Sequence, residues 1–327
     1  MSRPDLSVII TAHNRAAMLP VLLAGFERQH HASARFEVLI VDNGGTDGLI
    51  SQAECYARGA PIRIRAVDGG EEGETAAKNT GARAAEGHWL LFFSPDLLPG
   101  TRLIERHIFT HNRTDRHACV FGRILPHPRL RHGALTRWFL PENRFEPMGG
   151  VVRLFDWNSC NLSLPRAAFD ELGGFDPALP PGVADLDLGR RMRALELVCM
   201  LDDGARAYAW CAAELEDERR RHYLEGRALH GFIARTGENT LRAHFHLSPS
   251  WWLRLRDRAF IPYFVRACQD REQEDIRLLG TTYRRILRHE RWKGHEDARR
   301  DRAPAWEARP DHTATPALDG GPAMDLP

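Results

Sequence analysis

The sequence predicts an α/β protein built on a doubly wound, mostly parallel sheet with helices on both faces, followed by a helical C-terminal extension. Three observations carry that expectation. Over the first 125 residues, short runs rich in β-branched or aromatic residues alternate with helical patterns, and such alternation builds parallel sheets. Each of several runs empties into polar, acidic or glycine residues. A chain of 327 residues with 43% hydrophobic content can bury one large core or two modest ones.

Taken in order, the strands are Leu6 to Ile10, Phe36 to Val41, Ile62 to Val67, Trp89 to Phe93 and Cys119 to Ile124. Between the first two, Leu19, Leu22, Leu23 and Phe26 recur at helical spacing. Pro20 falls near that helix's start, where its missing N–H costs nothing. Thr46 or Asp47 is placed to cap a second helix, and Glu74 to Glu86 is an alanine-rich third. Glu216 to Arg235 and Asp257 to His289 read as heavily charged helices. From Arg302 onward, Pro, Ala, Asp and Gly without apolar periodicity read as a disordered tail.

Sheets of this kind bind ligands in the crevice at the carboxyl ends of their strands. Strand one ends in Thr11-Ala12-His13-Asn14-Arg15, strand two in Asp42-Asn43-Gly44-Gly45, and strand four in Ser94-Pro95-Asp96. Taken singly these are ordinary turn residues. Converging from three strands on one edge, they point to a ligand site.

Composition narrows the partners. Net charge is +1, from 45 basic and 44 acidic residues, so no global field argues for nucleic acid. The apolar stretch after Met1 is too brief for a signal peptide, and no window approaches the roughly 20 apolar residues of a membrane helix. Six cysteines (Cys55, Cys119, Cys160, Cys199, Cys211 and Cys268) form no C-x-x-C pair. Free thiols in a reducing cytoplasm are the natural reading.

Five segments together resemble one family. SVIITAHNR is similar to the first strand and loop of family-two glycosyltransferases of the GT-A fold, and VLIVDNGGTDG to their second strand and its acidic loop. GETAAKNTGARAAEGHWLLFF resembles their G-x-x-x-A-R-N-x-G helix and the strand leading into Asp-x-Asp. CNLSLPRAAFDELGGFD matches their acceptor-side element, and VADLDLGRRM their Glu-Asp-x-Asp-Leu-x-x-Arg segment. The matches come in the family's order across roughly residues 6 to 193. The resemblance divides the chain into a nucleotide-sugar-binding half (1–125), an acceptor-binding half (126–215), a helical extension (216–300) and a tail (301–327).

What the resemblance implies is an inverting, metal-assisted transferase using a UDP- or dTDP-sugar. Asp42 would accept the ring N–H of a uracil or thymine base. Thr11, His13 and Arg15 would line the base and ribose pocket, with Asn14 and Asn43 in the same two loops. Lys78 stands where the family commonly has arginine, keeping the charge without the planar fork. Asp96 would bind Mg²⁺ or Mn²⁺ against the donor diphosphate. Asp185 would act as the catalytic base; on its own it reads as a first-turn helix acid, and its place after Gly-Gly-Phe-Asp is what points to catalysis. Trp157, Asn158 and Asn161 are candidates for the acceptor, against a buried tryptophan and turn residues. His222 is a candidate metal ligand in the family's late-histidine position, against a solvated basic helix face.

Two departures stand out. Ser94 replaces the first acid of Asp-x-Asp, leaving a hydroxyl for the ribose and no charge for the metal. Ala184 replaces the glutamate before the base. They support the rival expectation, a non-catalytic protein that keeps the nucleotide pocket. A nucleotidyltransferase would want a glycine-rich basic loop after strand one, and Thr11 to Met18 has no glycine. Near the C-terminus, Trp251-Trp252-Leu253-Arg254-Leu255-Arg256, with Phe260, Ile261, Tyr263 and Phe264, mixes aromatics and arginines. It reads as a packed helix, a peripheral membrane contact or a homodimer face.

Overall fold

The computed structural model describes residues 3–30, 36–114, 118–129, 133–139, 158–211, 213–270 and 276–306. Described residues up to 129 and from 158 to 211 form one unit, and residues 133–139 with 213–306 form a second. The second therefore takes in a short helix from the middle of the chain as well as its C-terminal part.

In the first unit the expected strands appear as β1 (Leu6–Ala12), β2 (Phe36–Asp42), β3 (Arg63–Asp68), β4 (Trp89–Phe93) and β6 (Ala118–Pro126). They are joined by β5 (Leu97–Pro99), β7 (Asn161–Pro165) and β8 (Val198–Ala209) in one sheet of order β3-β2-β1-β4-β7-β6-β8-β5. The first four strands are all parallel. Every residue of β1, β2 and β4 is buried, as expected of parallel strands covered on both faces. Beyond β4 the sheet turns mixed: β7 runs antiparallel to β4 and β6, and β6 pairs parallel to β8. The chain departs from β1 to β2 on one side and β4 on the other. A crevice opens where neighbouring connections diverge in this way.

Helices α1 (Leu19–Glu27), α2 (Leu49–Ala57), α3 (Glu74–Ala84) and α4 (Leu103–Arg113) connect these strands. Proline stands in the first turn of α1, as expected. The cap of α2 differs from expectation. Gly48, in the left-handed region, takes the N-cap, while the Asp47 carboxylate reaches across to accept the Ala16 N–H at 2.6 Å. Helix α3 lies tight on the sheet because Gly81 has no side chain; a Cβ there would come within 2.6 Å of Ile9.

The acceptor-side segment folds as α6 (Arg166–Glu171) and α7 (Pro181–Met192) around a turn at Gly173 and Gly174, both with positive φ. A polar network joins α4, β7 and β8. Asn161 donates to the Ala205 carbonyl at 3.0 Å, so its Oδ1 must accept from His107 Nε2, also at 3.0 Å. His107 Nδ1 then accepts from the Ser163 hydroxyl, leaving that oxygen to accept from His111 Nε2. Burial holds both histidines neutral, pushing His107 down to about 4 and His111 to about 3.

The second unit contains α5 (Ala134–Phe139), α8 (Leu215–Thr236), α9 (Thr240–His244), α10 (Trp251–Asp270) and α11 (Ile276–Arg299). The charged stretch 257–289 is thus shared between two helices rather than one. Gly226 of α8 sits against the Arg291 carbonyl, and Gly294 of α11 against the Tyr223 carbonyl. The two glycines let the helices cross at close range. Around that crossing Arg219 pairs with Glu290 (2.7 Å), Arg291 with Glu225 (2.9 Å), and the Tyr223 hydroxyl with Asp297 (3.0 Å). Among the described residues no helix is long and apolar enough to cross a membrane.

Candidate functional site

The ends of β1 and β2 are tied into one loop system. Ala12 and Asp42 are paired across the strands. Asp42 Oδ1 accepts the Gly45 N–H at 2.9 Å, and a Cβ on Gly45 would lie 2.8 Å from that oxygen; the glycine is what lets the loop close over the carboxylate. His13 Nδ1 donates to the Asn43 carbonyl at 2.7 Å, so its Nε2 accepts from the Asn14 amide at 3.2 Å. Asn14, with φ of 51°, accepts the Thr46 N–H in turn. Thr11 is buried one residue before this junction. In the orientation that satisfies both ends of its amide, Asn43 donates to the Gly73 carbonyl (3.1 Å) and accepts from the Glu74 N–H (3.2 Å). It thereby holds the start of α3.

One turn into α3, Lys78 lies between an exposed acid, Glu74, and a buried one, Asp185. Its ammonium lies 2.6 Å from Glu74 and 2.9 Å from the Ser159 hydroxyl. Burial works against the charge, but the Glu74 carboxylate outweighs it, with Asp185 adding to the effect, and the amine is held above its usual range. Asp185, on α7, accepts the Ser159 N–H at 3.1 Å. Its carboxyl is raised above the ordinary value because burial outweighs Lys78 and the bonds from Ser159. A carboxylate made more basic beside a fixed cation is equipped to take a proton.

The β4 loop closes the third side. Ser94 N–H donates to the Cys160 carbonyl (2.9 Å), and the Ser94 hydroxyl accepts the Asp96 N–H (3.2 Å). Trp210, fully buried, fixes the loop through its indole to the Pro95 carbonyl and its own N–H to the Asp96 carbonyl, both at 3.2 Å. The Asp96 side chain is half-exposed and 3.2 Å from the Arg15 guanidinium. The oxygen facing Arg15 is Oδ1, which is otherwise enclosed by the protein. Burial and the adjacent Asp96 push the Cys211 thiol up. The contacts form a ring around the strand ends: His13 to Asn43, Glu74, Lys78, Ser159, Cys160, Ser94, Asp96 and back to Arg15.

One carboxylate is too few to hold a hard dication alone, since such ions take six or more oxygens. No group of three or more His, Cys, Asp or Glu stands together as metal ligands among the described residues. A cation at Asp96 would therefore have to arrive with a diphosphate supplying further oxygens and take the place of Arg15 at Oδ1.

Other expected residues lie elsewhere. Asn161 is buried, with both ends of its amide engaged by His107 and Ala205; its side chain is committed to the core network. Asn158 accepts the Cys160 N–H at 3.2 Å beside the ring. Trp157 lies outside the described residues. His222 is buried on α8 of the second unit, its Nδ1 donating to the Glu218 carbonyl at 2.8 Å, and burial pushes it well below its ordinary value. It sits inside a helix, not on a solvated face.

Several participants went unnoticed in the sequence. Glu74 was legible as the i−4 partner of Lys78. Asn79 brackets Phe175 with two backbone hydrogen bonds (2.8 and 2.9 Å). Arg191 joins Asp187 to the carbonyls of Leu172 and Gly174, each at 2.7 Å. These two fix the Gly-Gly-Phe-Asp turn, so the aspartate two positions after Asp185 is structural. Ser159 and Trp210 carried no sequence signal, since their roles arise from distant strands.

Residues 7–162 match the family model described as glycosyl transferase family 2. These residues carry a family 2 glycosyltransferase domain. Asp185 and α7 lie beyond the matched span. The chain is 31% identical over 222 residues to a validoxylamine A glucosyltransferase of Streptomyces hygroscopicus subsp. jinggangensis, covering 58% of this chain and 52% of that protein. It is also 31% identical over 111 residues to glycosyltransferase AglE of Haloferax volcanii, covering 34% and 36%. The chain thus spans about half the length of the first of these relatives and about a third of the second. Among solved structures, mannosyltransferase PcManGT of Pyrobaculum calidifontis, in complex with GDP-Man and Mn²⁺, superposes with a TM-score of 0.59 at 14% identity, over 93% of this chain and 89% of that one. TarS (1–349) of S. aureus in complex with UDP gives 0.51 at 15% identity, over 93% and 94%. At such identities the likeness shows the fold, which is GT-A.

Proposed function

We propose that this family 2 domain is an inverting glycosyltransferase that moves a sugar from a UDP- or dTDP-sugar to a hydroxyl of a glycan, lipid-linked, peptide or small-molecule acceptor. The observation that carries the proposal is the Lys78–Ser159–Asp185 cluster, a buried basic carboxylate on the edge where the donor-side loops end. Asp42 takes the ring N–H of the pyrimidine, while His13, Asn14 and Thr11 shape the pocket around base and ribose. The Ser94 hydroxyl serves the ribose. Arg15 and Lys78 face the diphosphate, each exchanging a carboxylate partner for phosphate oxygens.

As the acceptor hydroxyl attacks the anomeric carbon, Asp185 accepts its proton. The bond from that carbon to the diphosphate oxygen breaks, and the nucleoside diphosphate leaves with the electron pair. A single displacement of this kind inverts the anomeric centre. Asp96 would hold Mn²⁺ or Mg²⁺, which when bound would neutralise charge on the leaving diphosphate. Ser159 orients Asp185 through its N–H, and Lys78 keeps the neighbouring charge balanced.

The test is a thermal-shift screen of nucleoside diphosphates and their sugars, with and without Mn²⁺, followed by release of nucleotide in the presence of an acceptor panel. A pyrimidine nucleotide should raise the melting temperature, and more so with Mn²⁺. Ser94 and Ala184 favour a second reading, a non-catalytic nucleotide-binding protein. That reading would gain if nucleotides stabilise the protein and no donor is turned over. Indifference to every nucleotide would overturn both.

A further inference from the structure

Helix α10 has two unlike faces. Asp257, Ile261, Phe264 and Cys268 recur at helical spacing on one side. Ile261 and Cys268 are buried in a cluster with Ala134, Leu135, Tyr283 and Ile286, and Phe264 and Val265 pack against it. Asp257 accepts from Arg285 at 2.9 Å, and the Arg285 guanidinium lies over the Phe264 ring at 4.8 Å. This face anchors the helix in its own unit.

The stripe Trp252, Leu255, Ala259 and Tyr263 lies half a helical turn away, since residues nine apart, such as 252 and 261, point in opposite directions at about 100° per residue. Trp251 and Trp252 are 60% and 63% exposed, Leu255 57%, Phe260 51% and Tyr263 68%. Elsewhere among the described residues, only Phe109 and Val198 are large hydrophobics exposed to a similar degree. The indoles of Trp251 and Trp252 stack at 4.1 Å. Arg254, Arg256, Arg258 and Arg266 are exposed on the same helix. The acid among them, Asp257, is turned inward and paired with Arg256 and Arg285.

We infer that α10 is an interfacial anchor that lays its aromatic face into an anionic lipid surface. Tryptophan and tyrosine favour the boundary between headgroups and acyl chains. Leu255 and Ala259, at the centre of the stripe, offer contact to hydrocarbon. Arg256, Arg258 and Arg266, which flank it, complement acidic headgroups, whereas Arg254 lies on the anchored side, seven residues before Ile261. A second copy is a poorer occupant. A two-fold contact through this stripe would set Arg256, Arg258 and Arg266 against the same three. The function of such a seat is to hold the protein at the surface of a bilayer, independently of donor binding.

The test is co-sedimentation of the full chain with vesicles of phosphatidylcholine alone or mixed with phosphatidylglycerol. The protein should pellet with the anionic vesicles, release as salt is raised, and show a blue-shifted tryptophan emission. Trp252→Ser and Leu255→Ser should each weaken partition about tenfold, the loss expected for one large apolar side chain. Arg258→Gln should weaken it about fivefold, and only on anionic vesicles. All three positions are exposed, and an unchanged melting temperature confirms intact folding. Failure to pellet with anionic vesicles, or equal pelleting of wild type and Trp252→Ser, overturns the inference. So does a dimer in sedimentation velocity that Trp252→Ser dissolves, which makes a second copy the occupant. Single-strand RNA binding lost in the same variant overturns it too.

Discussion

Replacing Asp185 by asparagine removes one charge while keeping shape and the oxygen that accepts the Ser159 N–H at 3.1 Å. Loss of a general base costs at least about 10²-fold in turnover, or about 2.7 kcal/mol of barrier. Nucleotide affinity should stay near wild type, because the base and ribose contacts proposed above lie on the β1 and β2 loops. The charge state sharpens the prediction. Since the Asp185 carboxyl is raised in the fold, the native state binds its proton more readily than the unfolded chain. Stability from this group is therefore greatest at low pH and falls as pH rises from the ordinary carboxylate value through the raised one. At neutral pH the asparagine variant should melt no lower than wild type. Its missing turnover should match an acid limb in the wild-type pH–rate profile, displaced upward from the ordinary carboxylate value. Turnover unchanged with a working acceptor would refute the base assignment. A much lower melting temperature would refute the argument that burial dominates its charge.

Three further outcomes follow from other parts of the chain. Asp96→Ala should abolish any effect of Mn²⁺ on nucleotide affinity in calorimetry, whereas Ser94→Asp should strengthen it by adding a second charge beside the ion; Mn²⁺ without effect on wild type would refute the metal role. Gly226→Ala should destabilise the second unit by about 2–3 kcal/mol in urea unfolding, because a Cβ there meets the Arg291 carbonyl. Acid should weaken the first unit: His107 and His111 are lowered to about 4 and 3, so stability is lost as pH falls below 6.5. His111→Phe, which can keep the stack on Trp89, should flatten that slope in a pH series of melting temperatures.

The parallel half of the fold was legible because its strands are continuous apolar runs closed by turn residues. Trp89–Phe93 appears with the bounds expected, and β1 to β3 differ by one or two residues. Longer-range structure was not. Strand β8 begins Val-Cys-Met-Leu-Asp-Asp-Gly, where half-buried and exposed residues break any period of two. The cap of α2 departs from the sequence pattern because Asp47 satisfies a neighbouring loop, and a left-handed glycine serves instead. In the site, the strand-end residues could be found because sheet topology forces them to one edge. Asn161 could not be separated from them, since its partners, His107 and Ala205, are 54 and 44 residues away.

The central claim is that the β1 and β2 ends form a pyrimidine pocket, and Asp42 tests it most directly. Asp42→Asn keeps an oxygen for the Gly45 N–H, which an alanine would orphan, and replaces the acceptor offered to the base by a donor. Calorimetric titration of UDP into wild type and variant, both with Mn²⁺, is the measurement. Affinity should fall by about 1.5–3 kcal/mol, the scale of a hydrogen bond to a charged group, with the melting temperature of the free protein little changed. Equal affinity in the two proteins would contradict the account, because the base would then bind somewhere other than the strand end at Asp42.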